Sequence, residues 1–319
     1  MNNSFKNIRK TLKKSRTAVI ISHIDPDYDS IGSTIALARL LRALKIRSVM
    51  YCESPVPSAY SFIPHIKNVV NNVPRNKKFD LAITVDSADL KRTGTKFDLK
   101  RSAKKVINID HHPDNTMFGD INHVRKVSSV AELIYGLSKY LKIRITKDVA
   151  ICLYTAMVTD TGSFRYENTT PDTFRMAADL VCLGADPDWI STKIYDTKSK
   201  EALKALAEAL SNFKTLKSGK VVWATLSKRS IDRMKAKGED FTGIIDMLRS
   251  LETAEVALLF REESAGCIKV NFRSKKYVNV QKIAGMFGGG GHIRAAGAVI
   301  EGNLSKIQNK VLKAVSRAV

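Results

Sequence analysis

The sequence predicts an α/β protein, with an N-terminal domain built on a parallel β-sheet flanked by helices and a smaller C-terminal α/β domain. Three observations carry that expectation. Short, almost continuous apolar runs alternate with helical patterns through the first two-thirds of the chain, as strands buried on both faces of a parallel sheet require. A second set of strand and helix patterns follows a polar break at residues 217–219. The length of 319 residues also suits two medium cores better than one large one.

In chain order, residues 18–22, 47–52, 81–85 and 105–109 read as the buried strands. Between the first two, Ile31, Ile35, Leu37, Ala38, Leu41 and Leu44 recur at helical spacing, so 30–44 is a helix and the segment a βαβ unit. Helices dominate from about 130 to 214. Residues 148–159 are apolar on nearly every side, which marks a buried helix. Residues 202–213 carry Leu203, Leu206 and Leu210 on one stripe and read as a helical connector. The expected division is a catalytic domain over 1–195, a connector over 196–218 and a second domain over 219–319. That second domain has strands at 221–226, 256–260, 267–272 and 298–300, and helices at 228–236, 240–251, 280–287 and 304–318.

Composition excludes several classes. Hydrophobic residues make up 44% and charged residues 26%, the mix of a globular protein. No stretch approaches membrane-spanning length. Six Lys or Arg and no acid precede residue 23, but the apolar run at 18–21 is too short for a signal-peptide core. Cys52, Cys152, Cys182 and Cys267 form no CxxC pair, which argues against a thiolate zinc site or a dithiol redox pair. Cys152 and Cys182 sit in apolar helical patterns and read as reduced core residues, and the expected compartment is the cytoplasm. The net charge of +22 fits a polyanionic partner such as nucleic acid, or equally a solvated basic surface, because the excess is spread along the chain.

The chemistry sits where polar residues interrupt the buried strands. His23, Asp25, Asp27 and Asp29 follow the first strand, Asp86 the third, and Asp110-His111-His112 the fourth; Asp160 ends the buried helix. Ligand sites of open parallel sheets form beyond the carboxyl ends of strands. A single Asp in such a place is ordinarily a helix N-cap or turn former, and a lone His a satisfied core residue. Six or seven together would repel one another without cations, and two divalent metals resolve that repulsion. Oxygen and imidazole donors without sulfur favour Mn²⁺, with Mg²⁺ or Co²⁺ as alternatives. Such a pair activates water and neutralises phosphate oxygens. No GxSxG elbow, Cys-His signature or Walker A sequence is present.

These motifs resemble the DHH phosphoesterases: His23-x-x-x-Asp27-x-Asp29 with Ile31-Gly32-Ser33, Val85-Asp86-Ser87, Asp110-His111-His112-Pro113, and Asp160-Thr161-Gly162-Ser163-Phe164. Phe272-Arg273-Ser274, Gly288-Gly-Gly-Gly-His292 and Ala295-Ala-Gly297 resemble the DHHA1 domain that accompanies them. The resemblance runs from about residue 15 to 300 and is strongest to the branch that degrades very short RNA (nanoRNA) and dephosphorylates pAp. It implies one metal on His23, Asp27 and Asp86 and another on Asp29, Asp86, His111 and Asp160, with Asp86 bridging. It further implies that His112 lies near the scissile phosphate, that Asp110 orients the neighbouring histidine, and that the active site occupies the interdomain cleft. Arg273, Ser274, Gly289, Gly290, Gly291 and His292 would bind substrate phosphate or sugar. Backbone N–H groups of a glycine run can approach an anion closely, although such a run also serves as a flexible connector.

The expected activity is hydrolysis of short RNA or DNA oligonucleotides to mononucleotides and of pAp to AMP. A homodimer is expected only by analogy. The alternatives are a cyclic or linear dinucleotide phosphodiesterase, and a non-catalytic nucleic-acid-binding protein. Two departures stand out. Tyr28 replaces the usual small residue, either narrowing the site, stacking on a base or merely being tolerated, and Asp25 stands where asparagine is common, supporting the loop rather than binding metal. Arg165 and Tyr166 contact either substrate or local acids.

Overall fold

The computed structural model describes residues 3–74 and 76–319. The chain divides into two compact units, one up to Asp196 and one from Thr197 to Val319.

The first unit follows from its apolar runs. Its strands are β1 (Thr17–Ser22), β2 (Arg47–Tyr51), β3 (Val69–Val70), β4 (Phe79–Val85), β5 (Ala103–Asp110) and β6 (Ile121–Val124). They form one sheet in the order β3-β2-β1-β4-β5-β6, with every neighbouring pair parallel. The helices are α1 (Asn3–Leu12), α2 (Tyr28–Ala43), α3 (Leu99–Ser102), α4 (Val130–Leu141), α5 (Lys147–Asp160), α6 (Pro171–Cys182) and α7 (Pro187–Tyr195). Alternation along β1 divides the core, Ala18 and Ile20 joining the larger cluster with α2, α4 and α5, and Val19 and Ile21 a smaller one with Phe79 and Phe97.

Helix α2 packs tightly on α5, since a Cβ at Gly32 would stand 2.6 Å from the Cys152 carbonyl oxygen. The residues of α5 from Val149 to Val158 are all buried, as its all-round apolar pattern predicts. Strand order runs one way from β1 through β2 to β3 and the other way from β4 through β5 to β6. The crevice beyond the ends of β1 and β4 is therefore the topological switch point, where such sheets bind ligands.

The second unit comprises α8 (Lys200–Ser211), β7 (Lys214–Leu216), β8 (Val221–Leu226), α9 (Lys228–Met234), α10 (Ile244–Arg249), β9 (Val256–Ser264), β10 (Cys267–Ser274), α11 (Val280–Gly285), β11 (Gly290–His292), β12 (Ala295–Glu301) and α12 (Leu304–Ser316). Its sheet order is β11-β12-β10-β9-β8-β7, antiparallel except between β8 and β9. One face packs on α11 and α12 around Phe260, Phe272 and Val311, the other on α8, α9 and α10.

Several expectations are corrected. The helix expected as a connector packs against β8 through Ala205 and Ala209, which are fully buried, while Leu203 and Leu210 are exposed. Small residues let that helix lie close to the sheet, with Leu206 packed beside them, while Leu203 and Leu210 face away. Cys182, expected in the core, is exposed; Cys152 is buried. The helix expected over 240–251 is broken, and α10 starts only after Gly243, whose φ of +87° ends the preceding turn. Short edge strands β3, β7 and β11 carry too few residues for their pattern to register. Among the described residues, no helix is long and apolar enough to cross a membrane.

Candidate active site

Every strand that ends at the switch point delivers one of the expected side chains. His23 directly follows β1 and is buried. Its Nδ1 donates to the Ile24 carbonyl at 2.7 Å, which leaves Nε2 as the atom available to a cation. That Nε2 lies 3.6 Å from Asp27 Oδ2 and 3.5 Å from Asp86 Oδ2. Asp27 is at once the N-cap of α2: its Oδ1 accepts from the Ser30 N–H at 2.8 Å. Asp86 follows β4 with φ +59°, a left-handed conformation that costs a non-glycine residue roughly 1–2 kcal/mol and that clusters at functional sites.

On the other side of Asp86, its Oδ1 lies 3.5 Å from His111 Nε2 and 3.5 Å from His112 Nδ1. His111 Nε2 is 3.7 Å from Asp160 Oδ2 at the end of α5, and His111 Nδ1 donates to the Val127 carbonyl at 3.3 Å. His23, Asp27 and Asp86 thus bring donor atoms within 4.8 Å of one another, and so do Asp29, His111 and Asp160. Asp86 faces both groups.

The chemistry of these donors fits divalent cations. The set is carboxylate oxygen and imidazole nitrogen, and the buried atoms His23 Nε2 and Asp86 Oδ1 have no hydrogen-bond partner, a costly state that a bound cation would relieve. The nearby thiol of Cys52 instead donates to the His23 carbonyl.

The electrostatics of the bare protein carry the same message. Burial drives the Asp160 carboxyl up to about 7, with Asp27 and Asp86 adding to the push against His111. Burial, then Asp86 and Asp160, raise Asp29 well above the carboxylate range. Burial opposes charge on His23 and His111 as well, but the carboxylates beside them prevail and push these imidazoles up to about 10 and about 9. Asp86, for which burial and Asp27 oppose ionisation, is held low by His23 and His112. The same crowding of carboxylates that raises these groups is what bound cations would neutralise.

Asp110 does not join the two clusters but supports the site. Its Oδ1 accepts from His112 Nδ1 at 2.7 Å and its Oδ2 from Asn115 Nδ2 at 2.5 Å. The histidine it orients is His112. Asn115, which motif reading missed, also donates to the Ser87 carbonyl and accepts from Asn108. Asp29 has a second task unforeseen in the sequence. Its oxygens accept from the Val130 and Ala131 N–H groups at 2.7 and 3.1 Å and from Ser33 at 2.9 Å, so it caps α4 from a distant element. Asp25 has φ +51° and donates its N–H to Ser54 Oγ; it belongs to neither cluster. Tyr28 stacks on Tyr60 with ring centroids 3.9 Å apart, and Tyr60 in turn donates to the Pro26 carbonyl. Arg165 Nε donates to the Gly162 carbonyl.

In the second unit, Arg273 and Ser274 end β10. Arg273 Nε lies 3.7 Å from Asp246 Oδ1, which Arg249 also approaches at 3.3 Å; Arg249 is the cationic neighbour the sequence did not reveal. Ser274 is fully buried. The glycine run is not a flexible connector, because Gly290, Gly291 and His292 pair with Gly297, Ala296 and Ala295 as an edge strand. A Cβ at Gly289 or Gly291 would collide with the backbone of β12, whereas Gly290 faces open space.

A carboxylate and imidazole cluster with cation-seeking atoms, set at the switch point of a parallel sheet, defines a metal-dependent hydrolase. Comparison with known proteins narrows the class. The profile of the DHH family, N-terminal domain, matches residues 17–157, and that of the DHHA1 domain matches residues 218–319. The chain is 31% identical over 299 residues to the bifunctional oligoribonuclease and PAP phosphatase NrnA of Thermus thermophilus, covering 93% of this chain and 88% of that protein. It is 28% identical over 298 residues to the protein of the same name from Bacillus subtilis, covering 91% of each. An exopolyphosphatase-related protein from Bacteroides fragilis matches with a TM-score of 0.89 at 26% identity, covering 99% of this chain and 95% of that one. The chain belongs to the DHH family, a family of metal-dependent phosphoesterases.

Proposed function

We propose that this protein hydrolyses phosphodiester bonds of very short oligonucleotides to release mononucleotides, and also removes the 3′-phosphate of pAp. The observation that carries the chemistry is the pair of donor clusters meeting at Asp86, with His23 Nε2 and Asp86 Oδ1 buried and unmatched. The substrate class rests on the relatives named oligoribonuclease and PAP phosphatase.

In this reading His23, Asp27 and Asp86 hold one divalent ion, and Asp29, His111, Asp160 and the shared Asp86 hold a second, Mn²⁺ being the physiological choice. When bound, the ions supply activation of water and neutralisation of the phosphate oxygens. The new bond forms between the water oxygen and phosphorus while the ester oxygen departs and takes up a proton. His112 is placed for that step: Asp110 holds its Nδ1–H, so Nε2 can stabilise the departing oxygen or deliver its proton. His23, Asp29, Asp86 and His111 are buried, and charge interactions are stronger where protein replaces water. We assign Arg273, Ser274, Gly289, Gly290, Gly291 and His292 to recognition of substrate phosphate or sugar, since a guanidinium offers a bidentate phosphate clamp.

The test is Mn²⁺-dependent turnover of a panel of dinucleotides and longer oligonucleotides, pAp, cyclic dinucleotides and pyrophosphate. Mononucleotide release from the shortest oligomers is expected, and Asp86→Ala should lower kcat/KM by at least ~10³-fold, because a ligand common to both clusters is removed. Turnover of pyrophosphate or a cyclic dinucleotide alone would overturn the substrate assignment, and full activity of Asp86→Ala the mechanism.

A further inference from the structure

Charge is segregated around the sheet of the first unit. Because all its strands run parallel, their ends share one edge and their starts the opposite one. The ends carry the acids of the active site. The starts carry mostly cations: Arg47 opens β2, Arg16 precedes β1, Lys77 and Lys78 precede β4, and Lys100 and Arg101 lie in the segment leading into β5, while the acids Asp98 and Asp120 there accept backbone hydrogen bonds from Arg101 and Val106. Residues 3–17, which contain α1 and lead into β1, add further lysines and arginines and no acid.

A cavity of about 390 Å³ opens at this edge, lined in part by Lys10, Thr11, Lys14, Asp80, Lys104 and Lys105. Its one carboxylate is already committed. Asp80 accepts from the N–H groups of Arg16 and Thr17 and from Lys104 Nζ at 2.8 Å, and Lys104 and these donors hold it well below the usual carboxylate range. Among the described residues no carboxylate pairs with Lys10, Lys14 or Lys105, and all three are exposed.

We propose that this edge binds the phosphodiester backbone of a double-helical nucleic acid. The cations are mostly lysines, which act as hydrated point charges rather than planar forks and so favour phosphate without base readout. No aromatic ring lines the cavity, so the stacking platform that single strands use is missing. From β2 across β1 and β4 to β5, three interstrand spacings span roughly 14 Å, about four base-pair steps of a duplex strand. This attachment holds the protein on a polymer while the opposite edge stays open to short substrates, and it stands whether or not the proposed hydrolysis is correct.

The experiment is fluorescence anisotropy of a blunt RNA duplex of about 20 base pairs, and its DNA counterpart, over a salt series without divalent ions. The full chain is compared with Lys10→Gln/Lys14→Gln/Lys105→Gln and with the single variant Lys14→Glu. Expected results are salt-dependent binding of both duplexes by the parent and at least ~10-fold weaker binding by the triple variant. The slope of log K against log salt should fall by about 2 to 3, one for each phosphate that a lysine no longer neutralises. The single variant should fall between, and both variants should keep the parent's melting temperature and dinucleotide turnover. Equal duplex affinity of parent and triple variant, or no duplex binding by the parent, would overturn the proposal. Sedimentation of the parent with phosphatidylglycerol vesicles in the absence of duplex binding would reassign the edge to a lipid surface.

Discussion

Each carboxylate of the site spends its two oxygens differently, and that division explains what motif reading could and could not reach. Asp27 caps α2 with one oxygen and faces His23 with the other, so the cap expected of an Asp after a strand leaves its second oxygen available to the site. Asp110 gives one oxygen to His112 and the other to Asn115. The former was legible because the histidines are adjacent in sequence; the latter was not, since an Asn in a polar turn carries no signal. Asn115→Ala should therefore leave the melting temperature near that of the parent but lower kcat by roughly 10- to 100-fold, as expected if His112 acts as proposed and its support is removed. Steady-state kinetics on a dinucleotide check this; an unchanged kcat would mean that Asp110 alone fixes the imidazole. The left-handed backbone at Asp86 was equally hidden, because nothing in Val85-Asp86-Ser87 distinguishes it from an extended strand end.

At the scale of elements, long buried segments were legible and close approaches were not. The runs that became β1, β4 and β5 and the all-apolar α5 announce themselves by burial on every side. The leucine stripe of α8 misled because composition outweighs geometry in a periodicity argument: the three leucines look like a core face, but Ala205 and Ala209 are the buried residues and only Leu206 packs with them. Gly32 shows the same effect in a motif, where its lack of a side chain lets α2 meet α5. Gly32→Ala should cost about 1–3 kcal/mol through overpacking, partly offset by better helix propensity. Calorimetry should show the first unit melting roughly 3–8 °C lower, and an unchanged melting temperature would show that the helices can part without loss.

At the scale of the whole molecule, two sheets with separate cores imply two cooperative blocks. Mn²⁺ should raise the transition of the first block, because ligands that bind only the native state stabilise it, by about 2.7 kcal/mol at a hundredfold excess over Kd. Gly32→Ala should lower that same transition and leave the other in place, as a calorimetric scan with and without metal would show. A shift of both by equal amounts would mean that the chain melts as one. The parallel sheet also sets the pace of folding. In the second unit β9 and β10 are neighbours in sequence and pair across two intervening residues, a rapid, local event. In the first unit β1 pairs with β2 on one side but needs β4 on the other, with Ala18 opposite Leu81, so its most apolar strand leaves the ribosome long before its second partner is made. Loops that long close slowly, and the exposed run 18–21 is meanwhile a site for misassociation. The architecture that gathers five aspartates at one edge thus leaves the nascent chain dependent on protection early in synthesis, and refolding from denaturant should be limited by this half.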